Sequence, residues 1–183
     1  VLGELGIGRI LSIAAGIRLQ TMEDKVPAST AVIRAMPNTP SLVGMGAAAI
    51  AGGAAATEAD LIWAEQILGA VGTVVRVTED QINAVTGLSG SGPAYVFLIA
   101  EALIDAGVLV GLSRDVAANL AIQTLRGSAE LLAAGTPPAE ARANVTSPGG
   151  TTAAGLRALE SAGVRAAIID AVVAAATRAG EMG

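Results

Sequence analysis

Apolar positions along the first 77 residues come mostly in short runs punctuated by glycine and proline, the spacing expected of strands rather than long helices. Arg9 to Ala15 reads as a strand through Ile10-Leu11-Ser12-Ile13-Ala14 and ends at Gly16. Ala31 to Arg34 reads as a second, closed by the proline-rich turn Met36-Pro37-Asn38-Thr39-Pro40, because neither proline can extend a ladder. Ala47 to Ala51 is a third strand and Gly72 to Val77 a fourth. Between these, Thr57 is placed to cap a helix running to Gly69, with Asp60 at its third position and Glu58 beside it at the positive end of the helix dipole.

Beyond Thr78 the pattern changes to long helices. Pro93 to Val110 is apolar on nearly every face, with Glu101 and Asp105 one turn apart, as expected of a helix enclosed by others. Ser113 caps the next helix, which reaches about Ala134 and stops at Gly135, and Thr136-Pro137 opens a shorter one. After the loop Val145 to Gly150, helices are predicted over Thr151 to Ala162 and Val164 to Ala179, separated by Gly163. The domain boundary therefore falls near Val77/Thr78, dividing the chain into residues 1–77 and 78–183. The first part reads as a portion of an α/β sheet, too small for a complete doubly wound domain. The only candidates for a dinucleotide-binding glycine fingerprint, Gly3, Gly6 and Gly8, precede a strand instead of following one and so cannot seat a pyrophosphate at a helix N-terminus.

Composition narrows the chemistry. Of 183 residues, 52% are hydrophobic and 2% aromatic, so Ala, Val, Leu and Ile must fill the interior, and small side chains favour close helix packing and burial from every side in an oligomer. A net charge of −5 with eleven scattered basic residues excludes a nucleic-acid footprint. The chain has no Cys or His, which removes thiol nucleophiles, imidazole bases, the usual zinc ligands and disulfides, and fits a cytoplasmic setting without a metal. Chemistry must then come from hydroxyls, backbone N–H groups, carboxylates or a borrowed cofactor. Two charge-free stretches, Ala35 to Thr57 and Gln81 to Ala100, raise the question of a membrane span. The first is broken by Pro37 and Pro40, and the second is expected to break at Ser89-Gly90-Ser91-Gly92-Pro93, so no membrane association is predicted. The start shows no basic leader ahead of an apolar run.

Three segments carry more polar and glycine character than packing requires. Gly87-Leu88-Ser89-Gly90-Ser91-Gly92-Pro93-Ala94-Tyr95 reads as a flexible, hydroxyl-rich turn before the long apolar helix. Asn144-Val145-Thr146-Ser147-Pro148-Gly149-Gly150-Thr151-Thr152 gathers donors at a helix start, where free N–H groups attract carboxylates. Arg34 to Pro40 lies at the end of a strand, the edge where α/β folds bind ligands. Each has a plain reading as turn or cap chemistry.

Together with Ser12-Ile13-Ala14-Ala15-Gly16-Ile17, these segments occur in an order and spacing that resembles pyrroline-5-carboxylate reductase over essentially the whole chain. The resemblance implies a partial Rossmann-like dinucleotide-binding domain followed by an all-α helical dimerisation and substrate-binding domain. It implies reduction of 1-pyrroline-5-carboxylate to L-proline, the last step of proline biosynthesis, with NADPH as cofactor and NADH left open. On the same basis Ser147, Gly149, Gly150, Thr151 and Thr152 hold the imino-acid carboxylate, and the Thr152 hydroxyl, the catalytic group, bonds the ring nitrogen. Asn144, Met36, Pro37 and Asn38 lie near the nicotinamide, with Ala15 and Gly16 approaching it from a strand-end loop. The family pairs by interleaving helices and assembles further into rings. The strand, glycine turn and helix that hold the adenosine and pyrophosphate do not appear in this sequence, leaving turnover by this chain alone undecided. Two other readings stay open: a non-catalytic oligomerisation or small-acid-binding module, and a related hydroxy-acid or imine reductase with a different substrate.

Overall fold

In the computed structural model, residues 7–182 are described; Gly3 and Gly6 of the glycine cluster lie outside them. By internal packing the chain forms two units, one reaching to Pro93 and taking in the chain from Ile169 onward, the other Ala94–Ile168.

The first unit is built on a four-stranded mixed sheet in the order β1-β2-β3-β4, with β1 Arg9–Ser12, β2 Ala31–Met36, β3 Gly46–Gly52 and β4 Gly72–Arg76. β1 and β2 run parallel, joined across the short helix α1, Leu19–Glu23. β2 and β3 are antiparallel, joined by a 3₁₀ turn at Thr39–Val43, and β3 and β4 are parallel across helix α2, Glu58–Gly69. The period-2 alternation of strand side chains gives each face its own core. Ile33, Ala35, Ala48 and Ile50 pack with Ala64 and Leu68 of α2. The opposite face buries Val32, Ala49 and Ala51 against Leu19 and Ile82. Ile33, Ile50, Val32 and Ile82 are fully enclosed, and each such side chain contributes about 1.5–3 kcal/mol.

The predicted cap on α2 is present: both the backbone N–H and the hydroxyl of Thr57 donate to Asp60 Oδ2, at 2.9 and 2.6 Å. Those two bonds, with Arg9 Nε 3.2 Å from the other carboxylate oxygen, hold the Asp60 carboxyl below its ordinary pKa. Arg9 also lies over the Trp63 ring at 5.2 Å, so β1 is tied to α2 by charge and by stacking. Helix α1 was not predicted, because five residues are too few to show helical periodicity.

From Glu79 to Leu109 the backbone is continuously helical: a 3₁₀ turn at Glu79–Gln81, α3 at Ile82–Val85, a π turn at Thr86–Gly90 and α4 at Gly92–Leu109. The break expected at Ser89 to Pro93 does not occur, and the stretch is no flexible turn. Pro93 falls at the second position of α4, where its missing N–H does not end a helix. By length and composition alone this helix could cross a membrane. Residues 78–93 pack with the sheet, so the division by packing falls later in the chain than the change from strands to helices.

In the second unit α4 is followed by α5, Arg114–Ala133, α6, Pro138–Asn144, and α7, Thr151–Ser161; α8, Val164–Glu181, begins there and ends in the first unit. Ser113 caps α5 by accepting from the Val116 N–H at 3.4 Å. Helix α6 starts one residue later than predicted, with Pro137 as its N-cap and Pro138 inside the first turn. No residue of α4 is buried within the single chain. Phe97 is 61% exposed and Leu98 66%, so the surfaces expected to enclose this helix are not supplied by its own chain.

Candidate active site

The residues singled out from the sequence form two groups, one in each unit. In the first, β1 and β2 end side by side: Ser12 is in register with Arg34, so the chain leaves both strands at the same sheet edge. From β1 it enters Ile13 to Ile17, an uncharged loop in which Ala14 and Ala15 are exposed and Gly16 turns the chain at φ +74°. From β2 it enters Met36, Pro37 and Asn38, all half-buried.

Asn38 ties this edge to the π turn. Its Oδ1 accepts from the Ala47 N–H at 2.9 Å, and its Nδ2 donates to the Ser89 carbonyl at 3.0 Å. The Ser89 carbonyl lies four residues before Pro93, the position whose helical donor proline lacks, and the Asn38 amide fills that place. In the π turn itself, the Thr86 carbonyl accepts from the Ser91 N–H at 2.8 Å. Met36 packs on the same turn, close enough that a Cβ on Gly90 would come 2.7 Å from its Cε. The Ser-Gly-Ser-Gly sequence thus makes a backing for the strand edge: its glycines allow close approach and its serine carbonyl receives a side chain. Composition alone suggested only a flexible loop.

The second group lies on the connection from α6 to α7. Asn144 is the exposed last residue of α6. The Thr146 hydroxyl donates to the Arg142 carbonyl at 2.6 Å and is occupied in closing that helix. Ser147-Pro148-Gly149-Gly150 is then a tight turn, with the Gly150 N–H donating to the Ser147 carbonyl at 3.1 Å and Gly149 at φ +66°. Proline followed by a residue of positive φ matches a type II turn, which takes glycine in that place because a Cβ there is strained. Gly150 needs its missing side chain for another reason: a Cβ would collide with the Ser147 hydroxyl, which sits directly over it.

Gly150 is the N-cap of α7, and no side chain caps the helix. The first intrahelical bond runs from the Ala154 N–H to the Gly150 carbonyl at 3.1 Å, leaving the Thr151, Thr152 and Ala153 N–H groups directed out of the helix start. Beside them opens a cavity of about 330 Å³ lined by Gly149, Gly150, Ala153, Ala154 and Arg157. Partial positive charge at a helix start, a serine hydroxyl and a guanidinium make this a place for an anion of carboxylate size. Thr151 is exposed and Thr152 half-buried in the first turn of α7; neither is among the residues that line this cavity.

Sequence reasoning gave no pairing for two charged residues of the first unit, Arg34 and Glu79. Arg34 is 5% exposed in the middle of β2, and its Nη1 lies 3.3 Å from Glu79 Oε1. A lone charge between Ile33 and Ala35 in an apolar strand was the available signal, since a buried charge requires a partner.

A family model described as pyrroline-5-carboxylate reductase dimerisation matches residues 79–182. The pyrroline-5-carboxylate reductase of Synechocystis is 51% identical over 175 residues, which cover 95% of this chain and 65% of that protein. The chain thus spans just under two thirds of the length of this relative. Among solved structures, the Coxiella burnetii pyrroline-5-carboxylate reductase superposes with a TM-score of 0.92 at 40% identity, over 96% of this chain and 66% of that one. The Plasmodium falciparum pyrroline carboxylate reductase, solved with NADP bound, gives 0.88 at 36% identity over 95% and 71%. With the family model covering more than half of the chain and solved members matching both its sheet and its helices, the chain belongs to the pyrroline-5-carboxylate reductase family.

Proposed function

We propose that this chain carries the substrate site and the nicotinamide edge of a reductase that converts 1-pyrroline-5-carboxylate to L-proline with NADPH. The observation that carries the reading is the uncapped start of α7, with Ser147 over Gly150 and the cavity beside it. A cyclic imino acid offers a carboxylate of the right size for the Thr151 and Thr152 N–H groups and the Ser147 hydroxyl. With the carboxylate held there, the Thr152 hydroxyl is assigned the role of bonding the ring nitrogen and orienting the C=N bond. No general base is needed from a chain that lacks His, because positioning and fixed dipoles do most of the work.

The strand edge suits the nicotinamide: Ala14 to Gly16 and Met36 to Asn38 offer small, uncharged surface at the carboxyl ends of parallel strands and no cation for a phosphate. Ala15, Gly16, Met36, Pro37 and Asn38 would hold that ring, and Asn144, at the end of α6, is kept as a further cofactor-binding candidate. Bound NADPH would supply hydride to the C=N carbon. The Plasmodium falciparum relative with NADP bound supports this choice of cofactor, and a preference over NADH is part of the proposal.

The apolar surface of α4 is proposed to be covered by a second copy of the chain, in line with a dimerisation family model that begins at Glu79. That starting point also supports 77/78 as the functional division, with the cofactor part before it and the pairing and substrate part after. An interleaved dimer, its further assembly into a ring and a cytoplasmic setting belong to the same proposal. The test is NADPH oxidation on 1-pyrroline-5-carboxylate by the full chain and its Thr152→Ala variant. Turnover should fall about 100-fold, the scale of a lost hydroxyl at the reacting atom, while NADPH affinity stays within twofold. Equal loss in both would remove Thr152 from the proposed role, and a parent chain that pairs without turnover would favour the non-catalytic module.

A further inference from the structure

We propose that Arg34 and Glu79 position the Ala15–Gly16 loop for the cofactor; the inference rests on the reading of that loop as the nicotinamide edge. The loop is fixed at its start because Ser12, the last residue of β1, pairs in register with Arg34. At its far end α1 begins at Leu19, and its N-cap residue Arg18 makes no side-chain cap. The missing cap comes from a residue 60 positions away: Glu79 Oε1 accepts from the Leu19 N–H at 2.5 Å. The same oxygen takes the Arg34 guanidinium at 3.3 Å.

Both ends of the loop are therefore referred to one residue. The backbone of Arg34 registers the entry, and its side chain, through one carboxylate oxygen, holds the exit. Neither charge is there for packing alone. Arg34 sits on the sheet face that buries Val32, Leu19 and Ile82, where an apolar side chain would fill the space at less desolvation cost. A five-residue helix has little stability of its own, so the first turn of α1 depends on the external acceptor. Without it, Leu19 can swing out and take Gly16 to Arg18 with it. Affinity for the cofactor then falls by the fraction of time the loop is formed.

Arg34 and Glu79 are positioning residues; neither is proposed to touch the reacting atoms. The test compares the full chain with Glu79→Met and with the double variant Arg34→Met/Glu79→Met, in which no charge is left unpaired in the interior. Two quantities are read: amide hydrogen exchange over residues 13–22 without cofactor, and the NADPH dissociation constant from its fluorescence. In the double variant the Leu19 amide should lose at least tenfold in protection and NADPH should bind about tenfold more weakly, the result of a loop formed about a tenth of the time. The KM for 1-pyrroline-5-carboxylate at saturating NADPH should stay within twofold. Normal NADPH affinity in a folded double variant would overturn the proposal, as would a Leu19 amide still protected in Glu79→Met. A parent chain that does not bind NADPH would instead overturn the functional reading, while the exchange measurement would still decide whether the clamp holds the loop.

Discussion

Gly87, in the middle of the π turn, lies against α8. A Cβ built on it would come 2.6 Å from the Val172 carbonyl oxygen, 2.9 Å from the Ala176 N and 3.0 Å from the Ala176 Cβ. Two of these are backbone atoms, so no rotamer change relieves the clash; the first contact is about 0.8 Å short of the 3.4 Å at which ordinary contact begins. In Gly87→Ala either α8 retreats or the π turn deforms. Overpacking of this kind costs about 1–3 kcal/mol, against a helix-propensity gain of up to about 1 kcal/mol for alanine over glycine. A net loss of about 1–2 kcal/mol is expected, a fall of about 2–8 °C in Tm for a chain of this size. The assay is urea unfolding at one fixed protein concentration, since self-association would add to apparent stability. Gly69→Ala serves as the control: it ends α2, and its added Cβ would meet nothing within 4 Å. The control should be neutral or slightly more stable. A Gly87→Ala protein as stable as its parent would refute the claim that α8 and the π turn are in backbone contact.

Gly149→Ala places a Cβ at φ +66°, a local strain of about 1–2 kcal/mol, so Tm should fall by about 2–8 °C and the KM for the imino acid should rise severalfold; an unchanged KM would detach the turn from the carboxylate site. Asn38→Asp keeps the acceptor for the Ala47 N–H but sets a carboxylate oxygen against the Ser89 carbonyl; a loss of about 1–3 kcal/mol in urea unfolding is expected, and no loss would mean the bridge is not formed in solution. Asp60 is held below its ordinary pKa by Thr57 and Arg9, so its contribution is complete at neutral pH. The stability gap between parent and Asp60→Asn should therefore close as pH falls through the ordinary aspartate value of about 3.9 and on to the lower folded one; a gap that widened under acid would reverse the sign of the argument.

Much of the fold was legible because local chemistry and period agree with tertiary placement. Thr57 and Asp60 stand three apart ahead of an apolar run and form the bonds that spacing implies. Ser113 caps α5, and the four strands lie where the short apolar runs are. What escaped depends on partners distant in sequence. Helix α1 exists because Glu79 caps it from 60 residues away, and no window around Leu19 contains that acceptor. The run from Ser89 to Pro93 has loop composition but is helical, because Asn38 fills the hydrogen-bonding place that Pro93 vacates. α4 is not enclosed within one chain, in keeping with a helix apolar on nearly every face that is expected to be buried in an oligomer; periodicity reports which faces are apolar, not which molecule covers them. At the site, the uncapped start of α7 could be read from Gly149-Gly150-Thr151-Thr152, whereas the seating of Ser147 over Gly150 needed coordinates.

The π turn at Thr86–Gly90 also sets an angular phase. It holds one residue more than the α turn it replaces, and one residue is worth about 100° of rotation about the helix axis. That extra residue sets the phase at which α4 continues from α3. Closing Thr86 to Gly90 into an unbroken α ladder at unchanged length would turn the apolar stripe downstream by about 100° relative to α3, whereas deleting one residue there would restore the ladder and leave that phase as it is.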